Sequence, residues 1–352
     1  MDSAPRRATI ADVARAAGVA PSTASVVFSG KAQVAEATRE RVLAAAASLG
    51  YAGPDPRAAS LRTGRSGIVA VVLDGPLRTV FLDPVTIAMM DGITDGLSDL
   101  GAAVLLLRED AADEAANLAN APVDAVVLIG CSGRTRASLE IVRGRGIPVV
   151  VIEGDAGDGI PQITLDNRDA ARDVALHVDG LGHRDVAVLT LPLDSSHGRG
   201  PVTPARLASA TVDVTLDRLD GVREVFPDAP AISAAHSSID EGVIAGRALL
   251  ADEEHRPTAV LAQSDLLAAG VIRAAEERGL RVPQDLSVTG FDGVTVDGLG
   301  RHILTTSVQP ATQKGRAAGE QVTRMLRGES TASQHLTCRF RAGTTTATPP
   351  AR

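Results

Sequence analysis

The sequence predicts an α/β protein preceded by a three-helix head. Three observations carry the prediction. The first 50 residues show apolar spacing of helical period, punctuated by glycines. A Pro- and Gly-rich stretch, "YAGPDP", then breaks helical structure. From Ile68 onward short apolar strands alternate with helical segments, the pattern of parallel sheets. The chain has 352 residues, 44% of them hydrophobic, enough for two or three domains and a sizeable core.

In the head, Thr9 is placed to cap a first helix, with Asp12 three residues later as its capping-box partner. Ile10, Val13, Ala14 and Ala17 form the apolar stripe of that helix, and Gly18 permits a tight turn. Pro21 suits the first turn of a second helix, because its missing N–H has no intrahelical partner there. Ala24, Val27 and Phe28 point to the core, and Gly30 ends the helix. A third helix runs from about Glu36 to Leu49 and is expected to bury Val42, Leu43, Ala46 and Leu49 before Gly50. Ala20 and Ala35 stand where a Ser or Thr cap is expected, at a cost of about 1 kcal/mol each. "RAASLRTGRSG" then reads as a linker with one or two helical turns.

The core strands are "GIVAVVLDG", "AAVLLLRED", "DAVVLIGC", "IPVVVIEGD" and "PQITLDN", followed by "DVAVLTLP", "PTAVLAQSD" and "LSVTGFDG". These are too many for one comfortable sheet, so two lobes are expected.

Charge is uneven. Residues 1–65 carry nine basic and five acidic side chains, a net +4, whereas the whole chain is −8 and residues 66–352 therefore carry −12. A basic head on an acidic body suits a polyanion-binding head; a chance fluctuation in a solvated surface is the plainer reading. No apolar run approaches the roughly 18 residues that cross a bilayer, and the N-terminus lacks a signal-peptide stretch, so a cytoplasmic location and no membrane partner are expected. Cys131 and Cys338 are far apart and lack metal-ligand spacing; they read as core thiols, not a disulfide.

Catalytic motifs are missing. There is no phosphate loop of G-x-x-x-x-G-K type, no dinucleotide fingerprint leaving a strand and no G-x-S-x-G elbow. No enzyme activity, cofactor or metal is expected. His183 precedes a strand and reads as structural. Asp166, Asp265 and Asp292 fall at strand ends, where open α/β sheets bind ligands, although each also suits the start of a following helix. A helix, a glycine turn and a second helix with a small polar face ("PSTASVVFS") make a helix-turn-helix, whose second helix enters the DNA major groove. An ordinary three-helix bundle is the competing reading.

The residues "ATIADVARAAGVAPSTASVVFSGKAQVAEATRERVLAAAASLGY" resemble the head of the lactose/galactose/purine-repressor (LacI/GalR) family of bacterial transcriptional regulators. "DPRAASLRTGRSGIVAVV" is similar to its hinge, and "DGLGHRDVAVLT", "RLDGVREVF", "PTAVLAQSDLLAAGVIRAAEERGLRVPQDLSVTGFDG", "LTTSVQP" and "CRFRAGTTT" resemble its core landmarks in order. The resemblance covers essentially the whole chain. It implies a two-lobed, periplasmic-binding-protein-like core with discontinuous lobes. The implied division is a head at 1–50, a hinge at 51–65, a first lobe at 66–180 and 309–328, and a second at 181–308 and 336–347.

The resemblance also implies site residues. Pro21, Ser22 and Val26 match base-contact positions; Thr9, Thr23, Ser25, Ser29, Thr38 and Tyr51 match phosphate or backbone contacts. Val26 departs from the polar residue usual at its position and is limited to touching a thymine methyl, which shifts readout toward DNA shape. Arg57, Leu61 and Arg62 fall in the hinge, and Leu61 matches a leucine that wedges into the minor groove, although this linker is one residue longer than the common form. In the core, Arg218, Ser264 and Asp292 match effector-binding positions. "PVT" (Pro84, Val85, Thr86) stands where two phenylalanines usually follow a proline, and the family's aromatic near "HSSIDEG" is absent. With no Trp, one Tyr and five Phe in the chain, a stacked sugar is disfavoured. The expected protein is a homodimeric repressor that binds a near-palindromic operator on double-stranded DNA under control of a small polar effector, a sugar among the candidates. A solute-binding protein of the same core fold without a DNA role is the alternative.

Overall fold

A computed structural model describes residues 8–29, 32–53, 64–73, 77–108, 118–130 and 133–351. The chain divides into two compact units, residues 1–66 and 67–352.

The first unit holds α1 (Ile10–Ala17), α2 (Pro21–Ser29) and α3 (Glu36–Ser48). The capping box at α1 forms as the sequence predicts: Asp12 N–H donates to Thr9 Oγ1, and Thr9 N–H donates back to the Asp12 carboxylate at 3.0 Å. Gly18 ends α1 at φ 65°, the left-handed conformation that favours glycine. Ala35 makes no side-chain cap. Val13, Ala14, Ala17, Ala24, Val42 and Ala46 form the small core, with Val27, Phe28 and Tyr51 packed against it. Leu43 and Leu49 do not join it; they are 43% and 41% exposed. Val42 and Ala46, four residues apart, already occupy the inward face of α3. Leu43 lies about 100° further round the helix, and Leu49 follows its last turn.

The second unit begins with β1 (Ile68–Leu73), α4 (Leu77–Val80), α5 (Pro84–Leu97), β2 (Ala103–Arg108), β3 (Ala125–Ile129), α6 (Gly133–Arg145), β4 (Val149–Ile152) and β5 (Gln162–Leu165). There follow α7 (Asn167–Gly180), β6 (Val186–Thr190), β7 (Gly200–Pro201), α8 (Pro204–Ala208), α9 (Asp213–Arg223), β8 (Ala231–Ser233), α10 (Ile239–Leu249), β9 (Ala259–Ala262), α11 (Asp265–Glu277), β10 (Ser287–Asp292) and β11 (Thr305–Val308). The chain closes with α12 (Ala311–Leu326), β12 (Gln334–Leu336) and β13 (Arg339–Arg341).

Two sheets result. The first has the order β12-β5-β4-β3-β1-β2 and the second β13-β11-β10-β9-β6-β8-β7. The first is parallel throughout; the second is parallel except at its edge strands β13 and β7. Near-continuous apolar strands are required because helices cover both faces. Alternate β1 residues show this: Val69, Val71 and Leu73 pack with α5 and α12, while Ala70 and Val72 face Leu139 and Val142 of α6.

Two placements differ from the sequence-based division. The helix at 167–180, expected with the first lobe, packs through Ala171, Val174, Ala175 and Val178 against Val186, Val188 and Leu219 of the second. Its apolar stripe faces the second sheet, so the chain crosses between lobes near Asp166. Gln334–Leu336 pairs with β5, so the first lobe reclaims a strand before the chain returns at β13. The chain thus crosses three times, near Asp166, Gln309 and Cys338.

Helices α5 and α12 approach backbone to backbone. A Cβ built on Gly92 meets Thr312 O at 2.0 Å, and one on Gly315 meets Met89 O at 2.0 Å; Gly96 and Gly319 are similarly placed one turn on. This contact sets the position of Asp83, the N-cap of α5, and of Lys314 on α12.

Candidate functional site

In the head, α2 presents Pro21, Ser22, Ser25 and Ser29 to solvent, while Thr23 and Val26 are half-buried. Ala24 anchors the opposite face. Ser29 Oγ donates to Val26 O at 3.3 Å. Thr9 Oγ1 donates to Asp12 at 2.7 Å, so its hydroxyl hydrogen is already used in the cap. Tyr51 packs edge-on against Phe28, ring centroids 5.3 Å apart, which ties the end of the head to α2. Thr38 is half-buried in the first turn of α3. Arg57, Leu61 and Arg62 lie outside the described residues.

The core residues converge at the crossovers. Arg218 on α9 is 4% exposed. Its Nε donates to Asn167 Oδ1 at 2.9 Å and its Nη1 to Gln263 O at 2.7 Å, while its guanidinium carbon stands 3.6 Å from the Phe291 ring centroid. Asp292 Oδ1 lies 3.8 Å from Arg218 Nη1 and accepts from Gln309 Nε2 at 2.6 Å. Lys314 Nζ donates to Gln309 Oε1 at 2.7 Å and to Glu153 Oε1 at 3.2 Å, and Asn167 Nδ2 donates to Glu153 Oε2 at 2.8 Å. The six side chains of Arg218, Asn167, Glu153, Lys314, Gln309 and Asp292 therefore close a ring joining both lobes. Such a network is stable in a low-dielectric interior only when its members are paired.

The electrostatics are dominated by burial. The Asp292 carboxyl is pushed up to about 8, first by desolvation and further by the Asp265 and Asp83 charges, with Arg218 opposing. Its backbone has φ 116°, a conformation rare outside glycine and costing on the order of 1–3 kcal/mol. Asp265 is raised to about 6 by burial, while Thr306 Oγ1 at 2.7 Å and Val294 N–H at 2.8 Å pull the other way. Asp83 is also raised by burial.

Ser264 is placed chiefly as a cap. Its Oγ accepts from Leu267 N–H at 3.2 Å at the start of α11 and from Ser237 Oγ at 2.8 Å. Asp166 does not cap α7; its Oδ1 accepts from Cys338 N–H at 2.7 Å and joins the first and third crossovers. His183 is fully buried, bonded to Thr258 Oγ1 at 2.9 Å and Ala347 O at 2.9 Å, and serves structure as expected. Burial pushes the Cys338 thiol up to about 12; Cys131 lies outside the described residues.

Sequence reasoning missed a cavity that none of the six ring residues lines. It has a volume of about 220 Å³ and opens between the lobes. Asp83 and Thr86 of the first lobe face Asp194, His197, Thr215 and Ser237 of the second. A second cavity, of about 250 Å³, lies on the other side of the first turn of α9 and is lined by Glu153, Asp155, Asp213 and Asp217. Asp213 and Asp217, spaced four apart on one helix, were a readable signal.

Residues 9–53 match the profile of the bacterial regulatory proteins, lacI family, and residues 175–346 match the periplasmic binding protein-like domain. An HTH-type transcriptional regulator of Mycobacterium tuberculosis is 37% identical over 328 residues, covering 90% of each chain. The chain belongs to the LacI family. Among solved structures, a LacI-family regulator from Corynebacterium glutamicum is 29% identical with a TM-score of 0.72, covering 97% of this chain and 100% of that one. The regulator CelR, solved in complex with cellobiose, is 26% identical with a TM-score of 0.66, covering 96% and 100%. As a LacI-family member the chain is a DNA-binding transcriptional regulator with an effector-binding type of core. The alternative of a solute-binding protein without a DNA role is set aside by the match at residues 9–53.

Proposed function

We propose that this regulator is a homodimeric repressor that reads a near-palindromic operator and is controlled by a small polar molecule held between its core lobes. The observation that carries the reading is the union, in one chain, of an exposed small-polar edge on α2 with a cavity between two lobes joined by three crossovers. Pro21, Ser22 and Val26 meet base edges, Ser22 through its hydroxyl and Val26 through a methyl contact. Thr23, Ser25, Ser29, Thr38 and Tyr51 meet the phosphate backbone; Thr9 contributes its position, its hydroxyl being engaged with Asp12. Arg57 and Leu61 act at the operator centre, Leu61 as the wedge. A dimer follows from the two half-sites of such an operator.

In the core, effector contact is assigned to Arg218, Asp292 and Ser264; Arg218 and Asp292 lie in the buried ring that joins the lobes, and Ser264 supports the cavity wall through Ser237. A ligand that prefers one lobe arrangement shifts the population toward it, and the ring of side chains is what either arrangement must keep or break. The function is regulatory and not catalytic, and it is exercised in the cytoplasm. The test is a titration of the intact protein on DNA upstream of its own gene, with and without candidate small molecules. Sequence-specific binding that a small molecule alters supports the reading; binding that no sequence change affects overturns it.

A further inference from the structure

Lys314 is a charged residue in an apolar stripe. Along α12 it shares the inward face with Ala311, Gly315, Ala318 and Val322, and it is 4% exposed. Its partner Glu153 is 11% exposed, on the loop that follows β4. Glu153 belongs to the first lobe, where its N–H donates to Ile163 O of β5 at 2.9 Å. Asn167 opens α7, which packs on the second lobe, and its Oδ1 accepts from Arg218. Gln309 is tied to the second lobe twice: its N–H donates to Asp292 O at 3.1 Å and its Nε2 to Asp292 Oδ1 at 2.6 Å. Two bonds of the ring therefore cross between the lobes. Asn167 Nδ2 donates to Glu153 Oε2 at 2.8 Å, and Lys314 Nζ donates to Gln309 Oε1 at 2.7 Å. The Glu153–Lys314 contact at 3.2 Å joins their first-lobe ends.

The backbone marks the same residues. Among the described residues three that are not glycine have positive φ, and two of them are the ring carboxylates, Glu153 at 57° and Asp292 at 116°. Each lobe supplies one, just past β4 and at the end of β10. Glycine takes either conformation without strain, so the side chain is what these positions retain in spite of it. The crossing bonds also lie where the chain passes between lobes. Asn167 follows the first crossover, Gln309 stands at the second, and Asp166 Oδ1 accepts from Cys338 N–H at the third. Rotation of one lobe against the other turns about these segments. A crossing bond that opens in a buried ring leaves its polar ends without water to replace the partner.

We propose that Glu153 and Lys314 form an ionic lock between the core lobes: through Asn167 and Gln309 they hold the lobe arrangement seen here, and the change of state that an effector drives is the opening of these two crossing bonds. A ligand moves the lobes only through its differential affinity for the two arrangements, and the lock raises the difference it must supply. The lock is independent of the effector's chemistry. What opens it belongs to the effector reading; the lock itself is tested without any effector. The competing role for the pair is support of the first lobe alone, since both residues belong to that lobe. The two roles separate in one measurement, because only a lock controls access to the crossovers while leaving each lobe folded.

Cys338 reports the opening. It stands between β12 of the first sheet and β13 of the second, half-buried, with its thiol raised by burial. Alkylation of the intact chain by N-ethylmaleimide, followed at the Cys338 peptide by mass spectrometry, measures its access, because the exposed thiolate is the reacting form. The variant combines Glu153→Gln with Lys314→Met, which removes both charges at similar volume and leaves neither buried and unpaired. It should keep the circular dichroism and cooperative melting of the wild type and alkylate Cys338 at least about tenfold faster. The Lys314 charge lowers the Cys338 thiol, so its loss alone would slow the reaction, and faster labelling means exposure. Arg247→Met, which breaks an ion pair with Glu277 inside the second lobe, should leave the rate unchanged. An unchanged Cys338 rate in the double variant overturns the lock. Equal acceleration by Arg247→Met overturns it too, as general loosening. Loss of cooperative folding in the double variant also overturns it, by making the pair a support of the first lobe.

Discussion

Replacing Gly315 by alanine adds one methyl group at the closest point of the α5–α12 contact. That carbon would stand 2.0 Å from Met89 O, 2.8 Å from Met89 C and 3.0 Å from Ile93 N. All three atoms are backbone, so no rotamer change relieves the clash. A carbon and an oxygen need about 3.4 Å, so the helices must part by more than about 1 Å, and the small residues on both sides lose their close contacts. Overpacking of this kind costs about 1–3 kcal/mol. Alanine recovers about 1 kcal/mol of helix propensity over glycine. Because the obstacle is backbone, the net expectation is a loss of about 2 kcal/mol at Gly315, and the same at Gly92, whose added carbon meets Thr312 O at 2.0 Å. Gly144, near the end of α6, has nothing within 4 Å of its added carbon. There alanine should stabilise by about 0.5–1 kcal/mol. Urea unfolding followed by far-ultraviolet circular dichroism measures both. The consequence for function is direct: Asp83 and Lys314 shift with their helices, so ligand affinity falls with stability in Gly315→Ala. Equal midpoints for wild type and Gly315→Ala would refute the reasoning.

Other outcomes follow from the same structure. Asp292 and Asp265 are raised above the ordinary aspartate value of the unfolded chain, so their contribution is fully present below about pH 4 and is lost as pH rises, through about 6 for Asp265 and about 8 for Asp292. Melting temperature of the core should therefore drop between pH 5 and about 8.5, and Asp292→Asn should flatten that slope; an unchanged slope would mean that Asp292 titrates normally. Arg218→Ala should abolish the response to ligand while leaving operator affinity intact, and should cost about 3 kcal/mol of core stability by leaving its partners unpaired; calorimetry and gel mobility shift read the two effects separately. Operator affinity should fall steeply with salt, as phosphate contacts require, and a shallow slope of log K against log salt would remove them from the interface.

Much of this was legible from residue order, and the losses have physical causes. Thr9 with Asp12, and Gly18 at the turn, are local signals whose partners lie within a few residues, so the α1 cap and the turn after it could be read directly. The alternation of apolar strands and helices likewise marks parallel sheets whichever strands finally pair. The helix at 167–180 was assigned to the wrong lobe because its stripe of Ala171, Val174, Ala175 and Val178 suits either sheet; only the long-range packing on Val186 and Leu219 decides. Arg218 and Asp292 were expected together and do meet, at 3.8 Å, but their internal partners Asn167, Gln263 and Gln309 come from three other parts of the chain. Glu153 and Lys314, 161 residues apart, carry no sequence mark of their pairing. The scarcity of aromatics was plain from composition, whereas the lining of the interlobe cavity, drawn from distant parts of the chain, was not.

Selection of bound duplexes from a random-sequence pool by the intact protein tests the central claim most directly, namely that α2 of a dimer reads DNA sequence. The account predicts enrichment of an inverted repeat with two half-sites related by a two-fold axis. Repeating the selection with Ser22→Ala should relax the preference at one position of each half-site, while Ser25→Ala should weaken binding without changing the enriched sequence. A pool that shows no enrichment, or an enriched sequence without two-fold symmetry, would contradict the account.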